Sequence, residues 1–155
     1  MQEWIIRDYQ EKDWPRLMEI HDAARMQELS LAGLEDAFLP LEQAAEREGL
    51  FDYTLKVAEQ AGEIVGFTAY TSEELAWLYV DPARMRQGIG RKLAAFVLEQ
   101  TSVRPFSVEV LEGNLPAIRL YEKAGFREVR RCTGQMPGNE SFQVTVLQME
   151  YTGIE

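Results

Sequence analysis

The chain has 155 residues, 46% of them apolar and 27% charged, enough for one compact domain (residues 1–155) with a real core. A formal net charge of -10 argues against general nucleic-acid binding, because phosphate recognition needs clustered Lys and Arg. No apolar run is long enough to span a membrane, the first residues lack a secretory pattern, and a lone Cys with a lone His excludes an internal disulfide and the usual zinc sets.

The expected setting is therefore a reducing cytoplasm, with no membrane, nucleic acid or metal involved. The acid is uneven. Residues 1–50 hold five basic and twelve acidic side chains. Such a segment either draws in a cationic substrate or simply solvates a helical surface.

In chain order, residues 4–9 read as a first strand. Asp13 is the expected N-cap of a helix, with Pro15 in its first turn. Trp14, Leu17, Met18, Ala24 and Leu29 fit an apolar face through about Leu29. A second helix is expected over 41–48, between Pro40 and Gly49. Residues 30–39 carry no clear pattern. Residues 53–59 and 63–71 form a predicted hairpin about Ala61-Gly62. A third apolar run, 75–80, is stopped by Asp81-Pro82. A helix over 88–100 places Ile89, Leu93, Phe96 and Val97 on one face. Residues 106–111 are another strand, and Pro116 opens a short helix to Lys123, closed by Gly125. Strands over 126–132 and 141–151 finish the chain. The order β-α-α-β-β-β-α-β-α-β-β predicts a mixed sheet with packed helices.

The segment from Leu78 to Leu93 joins a strand to a helix through Met85-Arg86-Gln87-Gly88-Ile89-Gly90. The first amides of a helix lack internal partners and lie at its positive end. Glycine lets an anion approach the backbone, so the turn reads as a phosphate cradle, with Arg84, Arg86, Arg91 and Lys92 nearby. Two glycines alone also fit a helix start that needs freedom. A Walker loop is excluded, since no Gly-Lys-Ser/Thr follows. A Rossmann fingerprint fits poorly, because its third glycine falls at Leu93 and three strands come first.

The Val80-Asp81-Pro82, glycine-turn and helix arrangement resembles the acetyl-CoA motif of the GNAT superfamily of N-acetyltransferases, Gln/Arg-x-x-Gly-x-Gly/Ala. Gly88 and Gly90 match, and Met85 departs from the first position. The stretch Asn114-Leu115-Pro116-Ala117-Ile118-Arg119-Leu120-Tyr121 through Gly125-Phe126 resembles the second pattern, Asn-x-x-Ala-x-x-Leu-Tyr-x-x-x-Gly-Phe. Read from the residues alone, Asn114 is a helix cap, Tyr121 a half-buried helix tyrosine and Gly125 a helix stop.

The resemblance implies a GNAT-like acyl-CoA N-acyltransferase fold of α/β class: a mixed, mostly antiparallel seven-stranded sheet with helices on both faces. It implies acetyl transfer from acetyl-CoA to a primary amine by direct attack. The amides of Arg86, Gln87, Gly88, Ile89, Gly90 and Arg91 would hold the pyrophosphate. Leu78, Tyr79 and Val80 would bond the pantetheine arm through their backbone, as would Asn114. The Val80 N–H is the implied oxyanion donor. Tyr121 would meet the sulfur and protonate the leaving thiolate.

The amine must also lose a proton. Glu109, in the apolar strand 106–111, is the first candidate base, with a salt bridge as its structural alternative. Glu74 is the second. His21 reads as an ordinary helix residue and Cys132 as packing in a late strand. Residues 19–50 are expected to form much of the acceptor lip, with Glu28, Glu35, Asp36 and Glu42 as contributors toward a cationic amine. Late exposed strand ends leave room for a homodimer. A binding module without catalysis and an acidic interaction domain are the competing classes.

Overall fold

The computed structural model describes residues 4–84 and 86–153. The strands are β1 (Trp4–Asp8), β2 (Thr54–Gln60), β3 (Glu63–Tyr70), β4 (Glu74–Val80), β5 (Phe106–Leu111), β6 (Arg127–Met136) and β7 (Asn139–Tyr151). The helices are α1 (Trp14–Ala32), α2 (Leu41–Glu48), α3 (Ile89–Gln100) and α4 (Leu115–Lys123). The seven strands form one sheet in the order β1-β2-β3-β4-β5-β7-β6. All neighbours are antiparallel except β4 and β5, which run parallel. This is the expected mixed sheet.

Each face of the sheet is covered by helices, and the central strand β3 is buried on both sides from Ile64 to Tyr70. Leu17 and Ile20 of α1 and Leu41 of α2 pack on Val57, Phe67 and Trp77. On the opposite face Ile89 and Leu93 of α3 pack on Ala58 and Val65. Val97 of α3 and Tyr121 of α4 pack there with Phe106, Val108 and Met149. Two glycines let α3 approach closely. A Cβ on Gly66 would lie 2.9 Å from the Tyr79 carbonyl oxygen and 3.3 Å from Ile89. One on Gly90 would meet only side chains, the nearest being the Leu120 terminal methyl at 2.5 Å.

Three expectations need correction. Asp13 precedes α1 but makes no side-chain cap to it. Arg7 of β1 captures the carboxylate instead, with Nη1 at 2.9 Å and Nη2 at 3.1 Å, and the Gln10 amide donates to it at 2.8 Å. Those donors, the Arg7 guanidinium first, hold the Asp13 carboxyl below the usual range. Secondly, α1 runs past Leu29 to Ala32, where Gly33 adopts a left-handed cap at φ 71. A short 3-10 turn, Glu35–Ala37, follows in the segment that carried no pattern. Thirdly, Cys132 is exposed rather than packed. β6 is the terminal strand and leaves 127–135 open to solvent. No helix among the described residues is long and apolar enough to cross a membrane.

Two stability predictions follow from these contacts. Gly66→Ala must displace a backbone carbonyl, whereas Gly90→Ala must only turn a leucine methyl. Urea unfolding should show a loss of about 1–3 kcal/mol for the first and a smaller loss for the second. Asp13→Ala should cost on the order of 2 kcal/mol near neutral pH, since it removes the two-point pairing with Arg7 and the Gln10 amide's acceptor and leaves Arg7 with Glu59 alone. Because the folded Asp13 carboxyl titrates low, its contribution should persist above the ordinary range near 4 and vanish as pH falls further.

Candidate active site

β4 and β5 are joined only at Glu74↔Ser107 and Leu75↔Val108. Beyond those pairs β4 stays with β3 as far as Gly66↔Val80, and β5 stays with β7 as far as Leu111↔Val146. Each strand follows its antiparallel partner, so the two part and the β4 edge over 76–80 is left without a strand partner on that side. A cavity of ≈ 220 Å³ fills the fork. It is lined by His21 and Glu28 of α1 on one face of the sheet and by Leu120 and Tyr121 of α4 on the other. It therefore passes through the sheet.

At its open end β4 leads into the glycine turn. The Asp81 amide donates to the Val65 carbonyl at 2.9 Å. The Asp81 carboxylate accepts from the Ala83 amide at 3.0 Å and from Arg16 Nη2 at 2.6 Å. Burial alone would raise the Asp81 carboxyl, but these donors outweigh it and hold it low. Arg84 is tied back to Glu63 at 2.6 Å. Arg86 (φ 68) and Gly88 (φ 79) then turn the chain left-handed. The Lys92 amide closes the first helical bond, onto the Gly88 carbonyl at 3.0 Å. The amides before it have no intrahelical acceptor. Arg86, Gln87 and Gly88 are exposed, and the space a Gly88 Cβ would occupy is empty. This geometry suits a diphosphate. Arg86 and Arg91 have no ion-pair partner among the described residues. Met85 lies outside the described residues.

Within the cavity Glu28 is a hub. Its carboxylate accepts from Arg25 Nη1 at 2.9 Å, from Asn114 Nδ2 at 3.2 Å and from the Tyr79 hydroxyl at 3.4 Å. Asn114 caps α4, its Oδ1 accepting from the Ala117 amide at 3.3 Å. Its side chain is thus already engaged at both ends. Burial works against the Arg25 cation, but the neighbouring carboxylates, Glu28 and Glu48, hold it firmly charged. Burial, then the Glu28 charge, push the Tyr79 and Tyr121 hydroxyls well above the ordinary phenol value. Tyr121 is 6% exposed, sits edge-on to Phe126, and its hydroxyl has no hydrogen-bond partner among the described residues.

The fork brings together Tyr121, Glu109, Asn114, Leu78 and Tyr79, all on the cavity wall. Glu109 is exposed there, on the middle of β5. Val80 ends β4 just past the wall, and Glu74 stands at the closed end of the fork, off the wall. Of the four acidic residues expected at the acceptor lip, Glu28 lines the cavity; Glu35, Asp36 and Glu42 do not.

His21, read as an ordinary helix residue, stands on the wall, as do Arg25, Glu48 and Asn139, which the sequence did not single out. His21 is 2% exposed, lies 4.9 Å from the Tyr79 ring, and is pushed down in pKa by burial against the pull of Asp22. His21, Arg25 and Glu28 stand at i, i+4 and i+7, a polar stripe interrupting the apolar face between Leu17 and Leu29. That spacing was the available signal.

Residues 51–128 match the model of the acetyltransferase (GNAT) domain. The chain is 30% identical over 131 residues to a [ribosomal protein bS18]-alanine N-acetyltransferase from Haemophilus ducreyi, covering 81% of this chain and 83% of that one. The crystal structure of a ribosomal-protein-alanine N-acetyltransferase from Brucella melitensis is similar at TM-score 0.71 and 25% identity, over 96% of this chain and 99% of that one. A GCN5-related N-acetyltransferase from Rhodopseudomonas palustris shares the fold at TM-score 0.78 and 19% identity, over 96% and 94%. A forked parallel pair, an open phosphate-type turn and a buried tyrosine beside the fork thus coincide with the family match: the chain belongs to the GNAT superfamily and is an acetyl-CoA-dependent N-acetyltransferase.

Proposed function

We propose that this enzyme acetylates the free N-terminal amine of a peptide or protein, by direct attack on acetyl-CoA within the fork. The observation that carries this reading is a cavity with Tyr121 on one wall and Glu109 on another, open to both faces of the sheet. Two similar proteins, at 30% and 25% identity, are named for acetylating a ribosomal-protein alanine, which supports a peptide acceptor.

The residues divide the work as follows. Acetyl-CoA supplies the activated acetyl group. The amides of residues 86–91 hold its diphosphate. The unpartnered β4 edge at Leu78, Tyr79 and Val80 takes the pantetheine arm as a further strand would. The Asn114 side chain, already engaged twice, contributes chiefly by fixing the start of α4 and hence Tyr121. The Val80 N–H faces the thioester oxygen as charge develops. Glu109 receives the amine proton, directly or through water, and Tyr121 donates its proton to the departing sulfur. The pKa directions agree with that last role, since a phenol above its ordinary value stays protonated throughout the working range.

Steady-state kinetics with short peptides test the assignment. Tyr121→Phe should lower kcat about a hundredfold while acetyl-CoA binding changes by less than about twofold. Glu109→Gln should lower kcat/KM by a similar factor, and a peptide with a blocked N-terminus should not react. Turnover of native enzyme should rise with pH as the α-amine deprotonates near 8, and should show no alkaline fall from Tyr121 up to about pH 10. Unchanged turnover in Tyr121→Phe at every pH would sink the acid assignment.

A further inference from the structure

One carboxylate in the cavity has no part in this chemistry. Glu48 is the last residue of α2, before the left-handed cap Gly49 at φ 66. A carboxylate at a helix C-terminus opposes the helix dipole. Glu48 is half-buried and has no hydrogen bond or ion pair among the described residues. The tip of the β6–β7 hairpin covers it. A Cβ on Gly138 would lie 3.0 Å from both Cγ and Oε2 of Glu48. That tip is fastened to the helices: Arg47 Nη1 donates to the Gly138 carbonyl at 3.0 Å, and Asn139 Nδ2 to the Ala37 carbonyl at 2.9 Å.

The cavity wall carries three carboxylates, Glu28, Glu48 and Glu109, against one guanidinium, Arg25. Arg25 is committed to Glu28 at 2.9 Å, and Glu28 to three donors. Glu48 is left with no donor of its own among the described residues, and Arg25 acts on it only through space. Glu48 stands on the α1–α2 face against the hairpin tip, and Tyr121 on the opposite, α4 face.

We infer that Glu48 is a specificity residue that binds a second positive charge of the acceptor, a Lys or Arg side chain close behind the N-terminal residue. The inference rests on the reading that the acceptor is a peptide amine. Every group facing Glu48 enters its titration. Burial pushes its carboxyl up to about 7, Arg25 of α1 opposes that rise, and Glu140 of β7 adds to it. Tyr79 of β4 and Tyr53 also face it, and both stay neutral. The charge that binds the cation is present above about 7 and lost below.

The test is calorimetric titration of Ala-Lys-Ala amide and Ala-Ala-Ala amide into the full-length protein, with and without saturating coenzyme A. At about pH 8 the lysine peptide should bind the native protein about tenfold tighter than the alanine peptide, and at about pH 6 the ratio should fall toward one. The two peptides share their α-amine, so its own titration cancels in the ratio. In Glu48→Gln the ratio should be near one at both values, with coenzyme A affinity and the melting curve reporting that the variant is folded. Equal binding by native protein at about pH 8, or a preference that survives Glu48→Gln, overturns the assignment. If that variant does not fold, a native ratio unchanged between about pH 6 and 8 overturns it equally. Acetyl transfer is scored separately. A lysine preference without transfer removes the peptide-acceptor chemistry and leaves Glu48 in place, and transfer without preference does the reverse.

Discussion

Two parallel strands that separate after Leu75 and Val108 impose a cost on the sheet, because backbone amides and carbonyls beyond the split lose the ladder they would otherwise complete. Nearly everything about the site answers to that split. The antiparallel neighbours β3 and β7 keep each prong straight. Gly66 lets α3 and the Tyr79 carbonyl come close to β3, where β4 stays paired as far as Val80. The exposed β4 edge is then a template for any extended polar ligand, by the same logic that lets a peptide add to a free sheet edge.

The glycine turn and the fork are mechanically one unit. Asp81 is bonded to Val65 on β3 and to Arg16 on α1, and Arg84 is bonded to Glu63. These contacts fix where β4 ends and therefore where the free amides of α3 point. On the other side of the fork Glu28 gathers Arg25, Tyr79 and Asn114. Through Asn114 it sets the first turn of α4, and two turns later that helix delivers Tyr121 to the cavity.

The sheet and its helices were largely legible, because alternation and 3.6-residue periodicity are written locally in β2 to α4 and end at clear stops such as Asp81-Pro82 and Gly125. The glycine turn and the second motif were legible too, since cap chemistry and spacing are local. Three things were not. Asp13 looked like a cap because the competing donor, Arg7, lies on a preceding strand whose reach is a tertiary matter. Cys132 looked packed because its strand is apolar in places, but only the strand order makes β6 the edge. His21, Arg25 and Glu48 looked like ordinary helix surface, since nothing local says that β4 and β5 open opposite them.

The cavity also divides along the chain. The family pattern covers 51–128, which contains the turn, both prongs of the fork, Asn114 and Tyr121. The α1–α2 side of the wall comes from outside those bounds: His21, Arg25, Glu28 and Glu48 before it, and Met136, Pro137 and Asn139 after it. On the proposed reading, donor handling and acceptor choice occupy separate stretches of sequence that meet only in three dimensions. Arg16 and Glu28 of the first third are tied to the turn and to α4, so on the proposed reading it is Glu48 and the hairpin tip whose substitution would change the acceptor while the strands and turn stay in place. On that reading, a lineage built on this frame could exchange one client for another while its chemistry stays fixed.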